Sequence, residues 1–338
     1  MKVIKFFAIT AMAAAMITSC STDDELSQSN YPSDNIIRVT AGVNNAKTRA
    51  DGQGVSAMDK DFSLTVVNKN TESTLPSKYT YIDKVFSKKS GDWACSETLL
   101  WQNSTTPVDI VAFAPAQENK FSGVCDNDRN IKPITYSVAG DQSTWSDNND
   151  LLYYYAKDFK PGEGLKDKKL SIQFNHAFCM IDINVTLGTE FNKPNVLDDS
   201  PIVKVTLGGT KIEANVNVTN AASVVTASGE AADITTTKGS FTPAENADKK
   251  ADPEANANSY FSCIAIPQTV AANTFKVSLM TAGKRYEWTS AEPVELKSGY
   301  RYTLELSMGN DVVLLKGGSI SASPWTEGDT GDKPLETD

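Results

Sequence analysis

The sequence contains a single histidine, His176, and has no C-x-x-C pair or other spacing typical of a metal site. A Ser-His-Asp or Cys-His catalytic site would have to use that one residue, which stands among apolar residues of a strand pattern. No serine lies in the G-x-S-x-G turn of the hydrolases. We therefore predict a packed histidine whose ring satisfies a neighbouring backbone group. We also predict no catalytic residue, no cofactor and no metal, so the chain is not expected to be an enzyme.

Long apolar runs and helical periodicity are also missing. Beyond the N-terminus no run approaches the roughly 20 residues needed to cross a bilayer, and no long segment repeats apolar residues every three to four positions. The 9% aromatic and 22% charged residues are typical of a globular protein. With 42 acidic and 32 basic residues, the net charge is −10. Such a chain repels phosphate backbones, which excludes nucleic acid as an expected partner.

The N-terminus has the pattern of a secretory signal. Lys2 and Lys5 precede a short apolar block that ends at Ile17, and the small residues Thr18 and Ser19 then lead to Cys20. This order resembles a bacterial lipobox, which implies that Cys20 becomes the acylated first residue. Acyl chains such as palmitate would hold the protein on the outer membrane. The acidic run STDDE after Cys20 resembles the export signal of surface lipoproteins in Bacteroidetes.

The stretch IIRVTAGVNNAKTRA combines a short strand with a basic link. Its apolar residues alternate with polar or small ones, which predicts a strand with one buried face. The apolar positions are Ile37, Val39, Ala41 and Val43. Two glycines and small polar residues after Arg49 predict an exposed loop. A trypsin-like protease would therefore cut between Arg49 and Ala50.

The rest of the chain shows short alternating or apolar runs between turn residues, which predicts an all-β protein with two β-sandwiches. The first sandwich is expected to contain FSLTVVN, PVDIVAFAP and IKPITYSVA. The alternation changes phase near Met180 and Ile181, which favours a domain junction there. Gly208–Gly209 is interpreted as a turn. The predicted regions are a signal peptide (1–19), a lipidated propeptide with the first strand (20–49), an N-terminal sandwich (50–182), a C-terminal sandwich (183–326) and an acidic tail (327–338).

Apart from Cys20, the cysteines are Cys95, Cys125, Cys179 and Cys263. An exported protein can form disulfides, but four cysteines allow three pairings and the spacing does not choose among them. Cys179 and Cys263 lie in apolar strand patterns, so buried free thiols are at least as well supported as bridges.

Several segments, in their order, resemble the fimbrillin family, the type V pilins of Bacteroidetes and their relatives. These are DLLYYYA (Asp150–Ala156), LSIQFNHAFCMIDINV (Leu170–Val185), CIAIPQTV (Cys263–Val270), VELKSGYRYTLELSM (Val294–Met308) and SISASPW (Ser319–Trp325). The resemblance implies a lipoprotein precursor with two tandem transthyretin-like β-sandwich domains. It also implies that an Arg-specific protease matures the precursor by cutting before the first domain. The matching position is Arg49, with Ala50 as the new N-terminus.

The resemblance implies a structural subunit of a fimbrium at the cell surface. Its partners would be other fimbrial subunits in a head-to-tail polymer built by donor-strand exchange, supporting adhesion and biofilm formation. The alternative is a surface lipoprotein that does not polymerise and binds glycans through its tryptophans. Those are Trp93, Trp101, Trp145, Trp288 and Trp325. Exposed rings clustered on one surface would favour the glycan binder, and scattered buried rings would favour the pilin; a host or glycan ligand is left open.

Overall fold

The computed structural model describes residues 30–44, 55–70, 75–192, 197–246, 250, 252, 254–316 and 320–325. The strands in these ranges are β1 (Val39–Asn44), β2 (Val55–Ala57), β3 (Phe62–Asn68), β4 (Tyr81–Lys89), β5 (Asp92–Cys95), β6 (Val108–Ala114), β7 (Ile134–Ser137), β8 (Leu152–Phe159), β9 (Leu170–His176), β10 (Cys179–Leu187), β11 (Ile202–Val216), β12 (Val225–Thr235), β13 (Thr237–Thr242), β14 (Asn258–Ala265), β15 (Gln268–Val270), β16 (Lys276–Thr281), β17 (Arg285–Thr289), β18 (Val294–Leu296), β19 (Tyr300–Met308), β20 (Val313–Leu315) and β21 (Ser321–Pro324). The helices are α1 (Leu75–Lys78) and α2 (Pro161–Gly164), with 3-10 turns at Ser122–Val124, Asp147–Asn149 and Thr189–Asn192.

The N-terminal half forms an eight-stranded sheet in the order β2-β1-β9-β8-β6-β3-β4-β5. The sheet curls so that β1 near one end contacts β5 at the other. Phe62, on β3, illustrates the enclosed core, since its ring packs edge-on against Trp93 at 4.9 Å and Phe174 at 5.5 Å between centroids. The inward apolar side chains of alternate positions form one buried cluster, as period-two strands require.

The C-terminal half is a sandwich of two sheets. One has the order β13-β14-β10-β19-β20, with β21 also paired to β19, and the other has the order β12-β11-β16-β17, with β7 also paired to β11. Strands β15 and β18 form a separate antiparallel ladder. A second buried cluster lies between the sheets. The all-β prediction is confirmed.

The transition between the two halves lies at Ala177–Phe178. Strand β9 ends at His176 in the first sheet, and β10 begins at Cys179 in the second. The phase change near Met180 and Ile181 predicts a junction a few residues later than this transition, because Ala177, Phe178 and Cys179 are all fully buried and extend the apolar run. The expected junction at 182/183 therefore falls inside β10.

One strand lies in a different sheet from the one expected. The segment IKPITYSVA was predicted in the first sandwich, but its β7 pairs antiparallel with β11 from Ile134↔Val216 to Ser137↔Glu213. Aromatic rings link this segment to the first sheet, because Tyr136 of β7 stacks on Phe121 at 6.5 Å and Phe121 stacks on Phe113 of β6 at 4.7 Å between centroids. The prediction was wrong because alternation identifies a strand without identifying its partner.

The turn predicted at Gly208–Gly209 is also wrong. Both glycines lie inside β11, where the pairing with β12 shifts register between Leu207 and Thr210. Gly209 has a φ of +85°, and a Cβ there would lie 2.1 Å from the Thr274 carbonyl oxygen. Glycine is therefore needed for a bulge within one long strand.

No helix among the described residues is long and apolar enough to span a membrane.

Candidate functional site

The first strand is an internal strand of the N-terminal sheet. On one side β1 runs parallel to β9, from Val39↔Leu170 to Val43↔Phe174. On the other side it runs antiparallel to β2, from Gly42↔Ala57 to Asn44↔Val55. The residues before β1 are held as well, since the Ile37 amide donates to the Leu99 carbonyl at 2.8 Å. The main chain of this segment is thus part of the sheet.

The side chains of this segment alternate as the sequence predicts. Ile37, Val39 and Val43 are 4%, 3% and 2% exposed and belong to the N-terminal core, whereas Thr40 is exposed. Ala41 is half-buried and packs against the same core. Burial of each of the three larger side chains is worth about 1.5–3 kcal/mol. The strand fills a groove of the first domain, while its removal stays a prediction.

A charged pair fixes the entry to this strand. Arg38 donates from both terminal nitrogens to Asp34, at 2.9 and 2.6 Å. This hydrogen-bonded guanidinium holds the pKa of the Asp34 carboxyl well below its usual range. Asp34 also accepts a hydrogen bond from the Ile36 amide at 3.1 Å. Because the two side chains are 42% and 44% exposed, the pair orders the chain more than it stabilises the fold.

The predicted processing positions lie outside the described residues. Cys20 precedes the described chain, and Arg49 and Ala50 lie between Asn44 and Val55. Those two described residues end β1 and begin β2, which are paired with each other. A chain break after Arg49 would therefore separate β1 covalently from β2 and from all later strands.

His176 is buried, as predicted, and one of its ring nitrogens contacts a side chain. Its Nδ1 lies 2.9 Å from Oδ1 of Asp150, which is 1% exposed. The expected contact with a backbone group stays a prediction. The imidazole also stacks on Trp325, with the centroids 3.9 Å apart and the planes 15° apart. Lys60 Nζ lies 3.7 Å from the other Asp150 oxygen.

The stacking of Trp325 on His176 connects the C-terminal end of the described chain to the junction between the two halves. Strand β21 pairs with β19 from Tyr300↔Pro324 to Thr303↔Ser321. All its side chains are exposed, so Trp325, which is 6% exposed, is its apolar attachment point. Sequence reasoning missed this contact. The only signal was one tryptophan at the end of a polar stretch, which says nothing about what its ring contacts.

The cysteines of the described chain are free thiols. Cys179 and Cys263 are fully buried, and burial raises the pKa of both thiols. Cys95 and Cys125 are half-buried. No group of three or more potential metal ligands occurs among the described residues.

The tryptophans do not share one surface. Trp101 and Trp325 are buried, Trp93 and Trp288 are half-buried, and Trp145 is 41% exposed. Trp93 and Trp101 belong to the N-terminal core, whereas Trp288 and Trp325 pack against the C-terminal one. A multi-tryptophan binding face is therefore not formed.

The fold and the internal first strand define a class: all-β proteins with a curled N-terminal sheet, completed by the first strand, and a C-terminal sandwich. A sequence model described as Fimbrillin-like matches residues 48–325, and the chain belongs to this family. The search of curated proteins gives no match. Membership supports a role as a fimbrial subunit at the cell surface, which is a structural and not an enzymatic role.

Solved structures share the fold at low sequence identity. A Bacteroides ovatus structure described as a cell adhesion protein has 16% identity and a TM-score of 0.56, covering 86% of this chain and 98% of its own. A Bacteroides uniformis structure with the same description has 14% identity and a TM-score of 0.55, covering 87% and 100%. A fimbrial protein from Bacteroides vulgatus has 14% identity and a TM-score of 0.52, covering 86% and 99%.

Proposed function

We propose that the chain is a fimbrial subunit precursor, exported as an outer-membrane lipoprotein through Cys20 and matured by an Arg-specific protease that cuts after Arg49. The observation that carries this proposal is the position of β1. It is the only strand between β2 and β9 in the described sheet, and Arg49 comes five positions after its last residue, Asn44. A single cut therefore frees the lipidated segment 20–49 together with a core strand.

Loss of β1 creates a site for another strand. The β9 residues Leu170–Phe174 would lose backbone partners, and the groove above Ile172 would lose its apolar cover. Unpaired N–H and C=O groups beside exposed apolar surface are costly, so a strand from another subunit is recruited. Main-chain hydrogen bonds give the affinity and alternate side chains give the register. Repeated head to tail, this exchange builds an open filament.

The donor must run parallel to β9 and antiparallel to β2, as β1 does. We propose the segment around β20 and β21, residues 312–323, as the donor. Val312 and Leu314 are 49% and 59% exposed, so part of this edge is apolar and accessible. The region of residues 50–182 would then accept, the region of 183–326 would donate, and the tail 327–338 would stay outside the joint.

The decisive experiment treats purified precursor with an Arg-specific protease. We expect one cut between Arg49 and Ala50, followed by ladders on a denaturant-free gel and by fibres in electron micrographs. Lys47→Ala is the matched control, because it removes a neighbouring positive charge and leaves the arginine. Fibres from an Arg49→Ala variant at the wild-type level would show that the proposal is wrong.

A further inference from the structure

A cleft of about 670 Å³ opens at one edge of the C-terminal sandwich, far in sequence from β1. Its described lining comes from residues between Trp288 and Tyr302 and from Leu315, Ile320 and Ala322. The volume lies within the range of roughly 300–1,000 Å³ that holds small ligands in proteins. Leu315, Ile320 and Ala322 of its lining belong to the segment proposed above as the donor, so the cleft is complete only before that segment is donated.

The cleft lies between the edges of the two sheets, because its lining includes Trp288 of β17 and Tyr300 of β19. Strand β17 is the last strand of its sheet, so nothing in the described sheet continues beyond it. In the facing sheet, the outer edge of β19 is divided between β20, which pairs with Leu306–Met308, and β21, which pairs with Tyr300–Thr303. The buried residues Val294 and Tyr302 form the floor of the gap.

Aromatic rings line this cleft in fixed positions. Trp288 is half-buried and packs edge-on against Phe275, with the centroids 6.4 Å apart. Tyr300 is 37% exposed and lies 6.4 Å from the ring of Tyr302. The Tyr302 hydroxyl accepts a hydrogen bond from the Lys297 amide at 2.8 Å. The cleft therefore presents aromatic surface that loses little entropy when a ligand packs on it.

The rim of the cleft is polar and acidic. It carries the carboxylates of Glu292 and Glu295 and the ammonium of Lys297. Lys297 pairs with Glu295 at 3.0 Å, and both side chains are more than half exposed. The hydroxyl of Ser290 donates to the Glu292 carbonyl at 2.8 Å, which shapes the loop. With an excess carboxylate on the rim and a chain charge of −10, an anionic ligand would be repelled.

We propose that this cleft binds an uncharged oligosaccharide of roughly two or three sugar units, a length set by the cavity volume. The apolar C–H faces of the sugar rings pack on Trp288 and Tyr300. The sugar hydroxyls donate to the carboxylates of Glu292 and Glu295, which are strong acceptors. Aromatic faces beside carboxylates match a ligand that is apolar on one side and rich in hydroxyls around its edge. This activity belongs to the uncut precursor, in which the proposed donor segment 312–323 still lines the cleft.

The test uses full-length, uncut precursor, so that it reports on the cleft whether or not the subunit polymerises. Calorimetric titrations with maltotriose, chitotriose and N-acetyllactosamine supply neutral probes, and sialyllactose supplies the acidic one. We expect at least one neutral probe to bind and sialyllactose to bind more weakly. Tyr300→Ala is expected to weaken the neutral binding by about tenfold, as for a central aromatic contact.

Matched variants separate the cleft from general effects. Trp288→Ala tests the second ring, with circular dichroism to check folding because that ring also packs on the core. Glu292→Gln tests the rim without a change of size. Trp145→Ala removes an exposed tryptophan that lies outside the cleft and is expected to leave binding unchanged.

Three results would overturn the proposal. The first is the absence of binding to every neutral probe at millimolar concentration, and the second is tighter binding of sialyllactose. The third is self-association of the precursor that Tyr300→Ala abolishes, since the cleft would then hold a second copy of the chain.

Discussion

Single side chains in this protein gain their importance from burial. Arg301 on β19 and Asp182 on β10 form an ion pair with Nε and Oδ2 2.6 Å apart, and both side chains are 6% exposed. The Tyr260 hydroxyl donates to the other Asp182 oxygen at 2.6 Å. The three strands β14, β10 and β19 are thus linked by one carboxylate. On the surface, Lys238 and Asp199 make an equally close contact at 2.7 Å with far greater exposure.

We expect Asp182→Ala to lower the free energy of unfolding by about 3–5 kcal/mol, because it leaves the Arg301 charge buried without its carboxylate. Asp199→Ala is the control, and its cost is expected to be at most about 1 kcal/mol. Urea denaturation of both variants measures the difference. Equal costs would contradict a role for burial.

Buried thiols and phenols give a second prediction, for alkaline pH. Burial raises the pKa of Cys179 and Cys263 above the ordinary 9.0, and it raises the pKa of Tyr136 to about 12. In the unfolded chain these groups ionise near their ordinary values, so above about pH 9 the unfolded state binds fewer protons than the folded state. Stability is therefore expected to hold below this pH and to fall as the pH rises further.

Denaturation at pH 7, 9 and 10.5 checks the sign of this effect. Alkylation with iodoacetamide provides a second readout, in which Cys95 is modified in the native state and Cys179 and Cys263 only after denaturation. Faster labelling of Cys179 than of Cys95 in native protein would count against the burial argument.

Whole strands were easier to predict than their partners. The alternation of Ile37, Val39 and Val43 predicts β1 because a strand with one buried face must repeat every two residues. No local sequence pattern predicts that β10 runs parallel to β19. Their register partners Ile181 and Tyr302 lie more than a hundred residues apart in the chain. For the same reason the alternation finds β7 but not its sheet. The candidate site was thus visible as a strand, whereas its pairing with β9 was not.

A reversible cross-link tests whether β1 must leave its groove. Thr40 and Ser171 are register partners on β1 and β9, and both side chains are accessible. Neighbouring strand positions of this kind fall within the Cα separation a disulfide allows, about 4.4–6.8 Å. We expect an oxidised Thr40→Cys/Ser171→Cys variant to be cut after Arg49 yet to remain monomeric, and reduction to permit assembly.

The single variant Thr40→Cys is the control for added thiols and should assemble under both conditions. Size-exclusion chromatography before and after reduction gives the readout. Fibres forming from the oxidised double variant at the wild-type rate would mean that β1 stays in place during assembly.

Aromatic rings and one strand cross the junction between the two halves of the molecule. Phe113 of the first sheet, Phe121 and Tyr136 of the connecting segment and Phe178 follow one another as neighbouring rings, with centroid separations of 4.7, 6.5 and 5.7 Å. Strand β7 extends the second sheet, although it precedes β8 and β9 of the first. The C-terminal Trp325 packs on His176 at the end of β9. Domains joined in this way are expected to unfold together.

An isolated fragment of residues 183–326 tests this coupling. It lacks β7 and the first four residues of β10, including Asp182, so Arg301 would be buried without its carboxylate. We expect a broad thermal transition and binding of a hydrophobic dye, the signs of lost packing. A longer fragment, 178–326, restores all of β10 but not β7 and is expected to be intermediate, while the full chain melts sharply. If the shorter fragment melted as sharply as the full chain and at the same temperature, the second half would be an independent domain, and the rings and strand that cross the junction would contribute nothing to its stability.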